Sequence, residues 1–166
     1  RVDSGEENIK RVKNLTKELL SQYDIIVISD YNKGFLLKKD IKFICDNHKN
    51  VFIDTKKKIN NFCKNAKFIK INSIEYNNSI EYIEANEWTK SKIIQTRGSE
   101  GCKLADKIYP VEKVEIKDVC GAGDTFLASL CVKFQQTGDI EESIRFANEC
   151  ASIVVQLKGV NTVGKF

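Results

Sequence analysis

Ile25-Ile26-Val27-Ile28, followed by Ser29-Asp30, is an apolar run that stops abruptly in polar residues. Its apolar character is continuous rather than alternating, as expected of a strand covered on both faces in a parallel sheet. The pattern returns downstream. Val51-Phe52-Ile53 ends at Asp54, residues 67–71 end at Asn72, and Ile93-Ile94-Gln95-Thr96 ends in the turn at 97–101. Apolar residues at helical spacing fall between and around these runs. They predict helices over residues 9–22 (headed by the capping pair Ser4 and Glu7), 38–47 and 73–85. Short antiparallel strands are expected at 102–105 and 107–114, then two long helices at 124–136 and 140–157 separated by Thr137-Gly138-Asp139. Strands alternating with helices predict one three-layer α/β/α domain with a mostly parallel sheet. Ligands of such sheets bind beyond the carboxyl ends of the strands, which here carry Ser29-Asp30, Asp54, Asn72 and Thr96.

The chemistry concentrates in Asp118-Val119-Cys120-Gly121-Ala122-Gly123-Asp124, which runs directly into the first long helix. Small residues there let backbone N–H groups approach an anion, and a helix N-terminus favours negative charge. A carboxylate at that junction repels phosphate, so Asp124 makes little sense for binding alone. It makes sense as a general base that takes a proton from a hydroxyl attacking a phosphoryl group. The competing structural role is a helix N-cap. A Walker A loop is excluded because no Lys-Ser or Lys-Thr follows, and a dinucleotide fingerprint because Phe126 stands where its third glycine belongs.

Composition narrows the classes further. The 166 residues are 42% hydrophobic and 30% charged, with a net charge of +4, which describes a soluble globular domain. The lysines are scattered and not interleaved with aromatics, so neither a nucleic-acid surface nor a membrane span is expected. Six separated cysteines without a CxxC pair suit reduced, buried thiols of a cytoplasmic protein. The single histidine, His48, offers no metal cluster and is expected at a helix end. The chain holds no methionine and opens Arg-Val-Asp-Ser without a signal sequence, so the expectation is a fragment of a longer protein.

Asp118, Gly121, Ala122, Gly123 and Asp124 resemble the Asp-x-Thr-Gly-Ala-Gly-Asp signature of ribokinase-type (PfkB) carbohydrate kinases, with Cys120 replacing the usual threonine. Further likenesses follow in family order. Asn72-Ser73-Ile74-Glu75 resembles the family's Asn-x-x-Glu, and Thr96 to Gly101 its Thr-x-Gly-x-x-Gly turn. Asn148 falls in the helix that borders the adenine pocket. The segments Asp30-Tyr31-Asn32-Lys33-Gly34 and Asp54-Thr55-Lys56 are similar to the subfamily of D-glycero-β-D-manno-heptose-7-phosphate kinases, and the first also occurs in other sugar kinases.

The resemblance implies a ribokinase-like fold of which residues 1–166 are the carboxyl-terminal, ATP-binding half, the amino-terminal half and its β lid being absent. It implies ATP-dependent phosphorylation of a sugar hydroxyl, with O1 of the heptose 7-phosphate ahead of fructokinase- or ribokinase-like substrates. Asp124 would be the base and the Gly121–Gly123 turn the anion hole. Asn72, Ser73, Ile74, Glu75, Thr96, Gly98, Gly101 and Asn148 would meet the nucleotide, with Glu75 acting on Mg²⁺ through water. Asp30, Lys33 and Lys56 are candidates for substrate or phosphate, and the complete protein is expected to be a homodimer. A nucleotide-binding module without activity of its own remains the alternative.

Overall fold

The computed structural model describes Val12 and residues 14–159. Its elements run α1 (Lys17–Leu20), β1 (Ile26–Asp30), α2 (Lys38–Asn47), β2 (Val51–Thr55), β3 (Phe68–Asn72), α3 (Ser73–Asn78), α4 (Ile80–Ala85), α5 (Glu87–Lys90), β4 (Ile93–Thr96), β5 (Cys102–Leu104), β6 (Lys107–Tyr109), α6 (Ala122–Thr137) and α7 (Ile140–Val154). One six-stranded sheet has the strands in chain order. β1 to β4 are mutually parallel, and β5 and β6 add an antiparallel margin.

Both faces of the sheet are covered at β2 and β3, which explains the unbroken apolar runs there. β1 departs from the expectation of cover on both faces: it is an edge strand that buries Ile28 and Asp30 on one face and leaves Val27, 47% exposed, and Ser29 open on the other. In β2 all five residues are buried. Ile53, Ile69, Ile71 and Ile93 pack against Ile41, Ile44 and Cys45 of α2 and Ile83 of α4. Phe52 and Ile94 point the other way, into a second core with Phe126, Leu127 and Leu130 of α6 and Ile144 and Ala147 of α7. The three-layer expectation is met. The crossover from β2 to β3 differs from the others, holding only a 3₁₀ turn at Asn61–Cys63.

Three boundaries differ from the sequence pattern, each for a physical reason visible in the structure. Among the described residues the first helix starts only at Lys17, because Asn14 adopts φ 60 and Thr16, in extended geometry, caps it by accepting from the Leu19 amide; residues 9–11 and 13 of the expected helix lie outside the described residues. Ser4 and Glu7 lie outside the described residues. The helix expected over 73–85 breaks at Ser79, whose hydroxyl accepts a hydrogen bond from the buried amide of Ile59. β6 stops at Tyr109 because Pro110 has no N–H to give a ladder. His48 does end α2, where its ring contacts the carbonyl of Tyr23. No helix among the described residues is long and apolar enough to cross a membrane.

Candidate active site

β1 to β4 all end on one side of the sheet, and the N-terminus of α6 arrives there from the second core. Between them lies a cavity of about 790 Å³. Asp30, Lys56, Asn72, Ser73, Ile74, Thr96, Gly98, Gly101, Ala122, Gly123, Asp124 and Asn148 all contribute to its wall. Residues 76 positions apart, such as Asn72 and Asn148, are thus brought together. Lys33 lies outside the wall, exposed in the loop after β1, and neither Gly121 nor Glu75 reaches the wall.

Gly121 adopts φ 78 as the N-cap of α6 and has no side chain to accept from the amides of the first turn. The Ala122 amide turns back to the Val119 carbonyl at 3.3 Å. The amides of Gly123 and Asp124 are left as uncapped helix N-terminal donors, the ordinary basis of an anion site. Asp118 braces this turn: its carboxylate accepts from the amides of Cys120 (2.9 Å) and Gly159 (3.0 Å), which hold its pKa below the usual carboxylate value.

Directly beneath the turn is Lys70, whose ammonium would lie 2.8 Å from a Cβ placed on Gly123. Lys70 is 5% exposed and pairs at 2.6 Å with Asp54, its cross-strand neighbour on β2. Burial pushes the Asp54 carboxyl above its ordinary range against the pull of Lys70. Sequence reasoning did not single out Lys70. The available signal was a lysine inside Phe68-Ile69-Lys70-Ile71, a strand expected to be buried on both faces, where lysine is rare unless paired.

Asn72 and Glu75 form a reciprocal cap on α3. The Asn72 side chain accepts from the Glu75 amide at 2.9 Å, and Glu75 Oε2 accepts from the Asn72 amide at 2.8 Å. Glu75 Oε1 faces the Asn72 side-chain amide and the Lys56 ammonium. Burial works against the Lys56 charge, but Glu75 outweighs it and the lysine's pKa is raised. Asp30 is also committed. Its carboxylate accepts from Lys57 and from the Thr55 hydroxyl, both at 2.7 Å.

The glycines of the 97–101 turn have different reasons to be glycine. Gly101, at φ 82, passes so close to β6 that a Cβ would meet the Tyr109 carbonyl oxygen at 2.0 Å. Gly98, at φ 58, faces open space. Asn148 on α7 is buried and donates to that same Tyr109 carbonyl at 3.0 Å. The remaining wall is apolar, with Val111, Val114, Ile116, Val119 and Val155 suited to the flat face of a base. The site therefore joins an apolar slot to a positively polarised turn; Asp30, Asp54 and Glu112 contribute to its wall, and a fourth carboxylate stands in the first turn of α6.

That carboxylate belongs to Asp124. It accepts a hydrogen bond from the hydroxyl of Tyr31, a residue whose role the sequence did not disclose. Among the described residues no group of three or more His, Cys, Asp or Glu can cage a cation.

Comparison with known proteins gives this geometry a lineage. The pattern of the "pfkB family carbohydrate kinase" matches residues 16–164. The chain is 34% identical over 165 residues to the bifunctional protein HldE of Campylobacter curvus, covering 87% of this chain and 35% of that protein. HldE of Hydrogenovibrio crunogenus is 32% identical over 181 residues, covering 96% of this chain and 37% of its own length. Among solved structures, ribokinase from Thermotoga maritima superposes with a TM-score of 0.71 at 19% identity, over 88% of this chain and 55% of that one. Arabidopsis thaliana ribokinase, solved with ribose and ATP, gives 0.69 at 20% identity, over 90% and 55%. The fold is ribokinase-like, and the chain spans little more than a third of those curated relatives and about half of those structures. The uncapped Gly-Ala-Gly-Asp turn and the sheet that carries it therefore belong to a member of the pfkB family of carbohydrate kinases.

Proposed function

We infer that residues 1–166 form the ATP-binding, base-bearing half of a sugar kinase domain that transfers the γ-phosphoryl group of ATP to a sugar hydroxyl. One observation carries the inference: the Asp124 carboxylate sits in the first turn of a helix whose N-terminal amides are uncapped, with the Lys70 ammonium beneath them. Phosphoryl transfer asks a protein for positioning and for charge stabilisation where charge develops. In this assignment Asp124 accepts the proton of the attacking hydroxyl. The amides of Gly123 and Asp124 and the charge of Lys70 stabilise the transferring phosphoryl oxygens. The apolar slot near Val111 and Val155 takes the adenine, and the turn at Gly98 and Gly101 shapes its approach.

Mg²⁺, when bound with the nucleotide, neutralises charge on its phosphates. Glu75 is the nearby group that would meet the ion, through water, and the Lys56 ammonium would meet the phosphates. The similarity to HldE proteins and the Asp30–Gly34 and Asp54–Lys56 segments favour O1 of D-glycero-D-manno-heptose 7-phosphate as the acceptor. Under that assignment the complete protein is a cytoplasmic homodimer of ADP-heptose synthesis. A nucleotide-binding module without activity of its own is the second possibility.

Calorimetric titration of Mg·ATP into the chain and into Asp124→Asn tests the nucleotide half. Both should bind. Phosphorylation of heptose 7-phosphate by the complete polypeptide carrying these residues should fall by about 10²–10⁴-fold in Asp124→Asn, the range for loss of a general base. Retained binding with unchanged turnover would refute Asp124 as the base. Binding without turnover in the wild-type complete polypeptide would favour the inactive module.

A further inference from the structure

We propose that Tyr31 is the positioning residue for Asp124: its hydroxyl, on a loop clamped from behind by a buried ion pair, fixes the carboxylate in the orientation from which it receives a proton. The proposal rests on the assignment of Asp124 as the base. Three observations carry it.

The first is the contact itself. Tyr31 and Asp124 are 93 residues apart, yet the phenol hydroxyl lies 3.0 Å from one carboxylate oxygen and 3.3 Å from the other. The carboxylate can only accept, so the phenol is the donor. Among the described residues Asp124 has no other hydrogen-bonded side chain. Without Tyr31, an exposed carboxylate on the first turn of a helix is free to exchange rotamers. A base displaced by as little as 1 Å loses on the order of 10²-fold in rate.

The second observation is the clamp. Asp30 is 7% exposed and Lys57 8%, and they pair at 2.7 Å. The same carboxylate accepts from the fully buried Thr55 hydroxyl at 2.7 Å and from the Asn32 amide at 3.1 Å. The Asp30 carbonyl accepts from the Lys56 amide at 2.9 Å. Residues 30 and 32 are therefore both pinned, with Tyr31 between them. Asn32 holds φ 58, a conformation asparagine tolerates better than most residues, which turns the chain sharply after Tyr31. A buried ion pair is a weak source of stability compared with an apolar core, so its use here is consistent with fixing a geometry.

The third is location. Tyr31 is 56% exposed but lines the same cavity as Asp124, on the β1 side, away from the apolar slot assigned to adenine. An acceptor hydroxyl approaching Asp124 from that side meets a carboxylate already aimed. Asp30, expected from the sequence to touch the sugar, acts in this account through Tyr31.

The test uses Tyr31→Phe, which keeps the ring and removes the hydroxyl, in the complete polypeptide. kcat should fall between about ten- and a hundred-fold, with KM for ATP and sugar within about twofold and the melting temperature unchanged. Lys57→Met should lower kcat in the same direction and should not add to Tyr31→Phe. A second readout is the phenol itself. The hydrogen bond to Asp124 and that carboxylate's charge raise the Tyr31 pKa above its ordinary value, with Asp54 adding and Lys56 opposing. The difference in tyrosinate absorbance between wild type and Tyr31→Phe isolates this residue, and Asp124→Asn should shift its titration to lower pH.

An unmoved Tyr31 titration in Asp124→Asn would show that the contact does not exist and would overturn the proposal. So would a shifted titration accompanied by full kcat in Tyr31→Phe. If Asp124→Asn keeps full turnover while the titration shifts, the base assignment has failed and takes this proposal with it. Tenfold or greater loss of kcat in Tyr31→Phe with the shifted titration supports it.

Discussion

Gly101→Ala should be far more damaging than Gly98→Ala, although the two glycines share one turn and both have positive φ. At Gly98 the new Cβ meets nothing within 4 Å, so only the backbone term applies. That term is about 1–2 kcal/mol for a left-handed non-glycine residue. At Gly101 the backbone is at φ 82 and ψ −130, a region of sparse occupancy that costs roughly 1–3 kcal/mol. The Cβ would also lie 2.0 Å from the Tyr109 carbonyl oxygen and 3.0 Å from Pro110, so the end of β6 must move. That oxygen is the acceptor for the buried Asn148 amide, and orphaning a buried donor costs about 1–3 kcal/mol more. The sum is about 2–6 kcal/mol, centred near 4. At roughly 2–4 °C per kcal/mol for a chain of this size, the melting temperature should fall by about 10 °C or more. Gly98→Ala should lose about 4 °C. Differential scanning fluorimetry, checked by urea unfolding, measures both. Equal losses would show that the close approach of Gly101 to β6 is not real.

Other outcomes follow from burial and charge. Cys120 is the one exposed thiol among the six and should react alone with a thiol reagent in the native state, all six reacting after denaturation. Burial pushes Cys45, Cys102 and Cys131 up to about 12 and Cys63 to about 11. Raised thiol pKa values keep these groups neutral in the folded state. Their contribution is complete below the unfolded value near 9 and is lost as pH rises from there toward 12, so urea midpoints should fall between pH 8 and pH 10. Lys70→Met leaves Asp54 buried without its partner and should cost about 3–5 kcal/mol, most of it recovered by adding Asp54→Leu. Gly123→Ala collides only with the flexible end of Lys70, so the melting temperature should hold while Mg·ATP affinity falls measurably by calorimetry.

The fold was legible because parallel strands covered on both faces must be apolar throughout, and β2 and β4 were visible on that ground; β1 was read the same way, although its Val27 face is open. Strand ends were legible for a related reason: Asp30, Asp54, Asn72 and Thr96 mark where the sheet stops and the cavity begins. What sequence periodicity cannot register is a hydrogen bond to a distant segment. Ser79 breaks a helix because its hydroxyl serves Ile59, 20 residues away. The apolar spacing of Val12 and Leu15 reflects packing on the first core without requiring a helix there.

The same distinction divides the site. Gly121 to Asp124 could be read because a helix N-terminus, a glycine turn and a carboxylate lie within four residues. Three of the site's charge pairs could not, because each joins different strands or loops: Asp54 with Lys70, Lys56 with Glu75, and Asp30 with Lys57. Those pairings change what the individual residues can do. Asp30, which alone suggests a ligand for sugar, has its carboxylate already engaged by protein donors, and the oxygens of Glu75 are met by Asn72 and Lys56, which leaves it to act on a metal through water and not by direct ligation. Asp54 answers the buried charge of Lys70. Asp124 is the carboxylate at the cavity whose only donor is a single exposed phenol, a contact that an incoming hydroxyl can replace or join. A base must be accessible and oriented, and Asp124, exposed in the first turn of α6 and held by the Tyr31 hydroxyl, has both properties. The assignment of Asp124 therefore rests on how its neighbours are paired as much as on its place after the glycines.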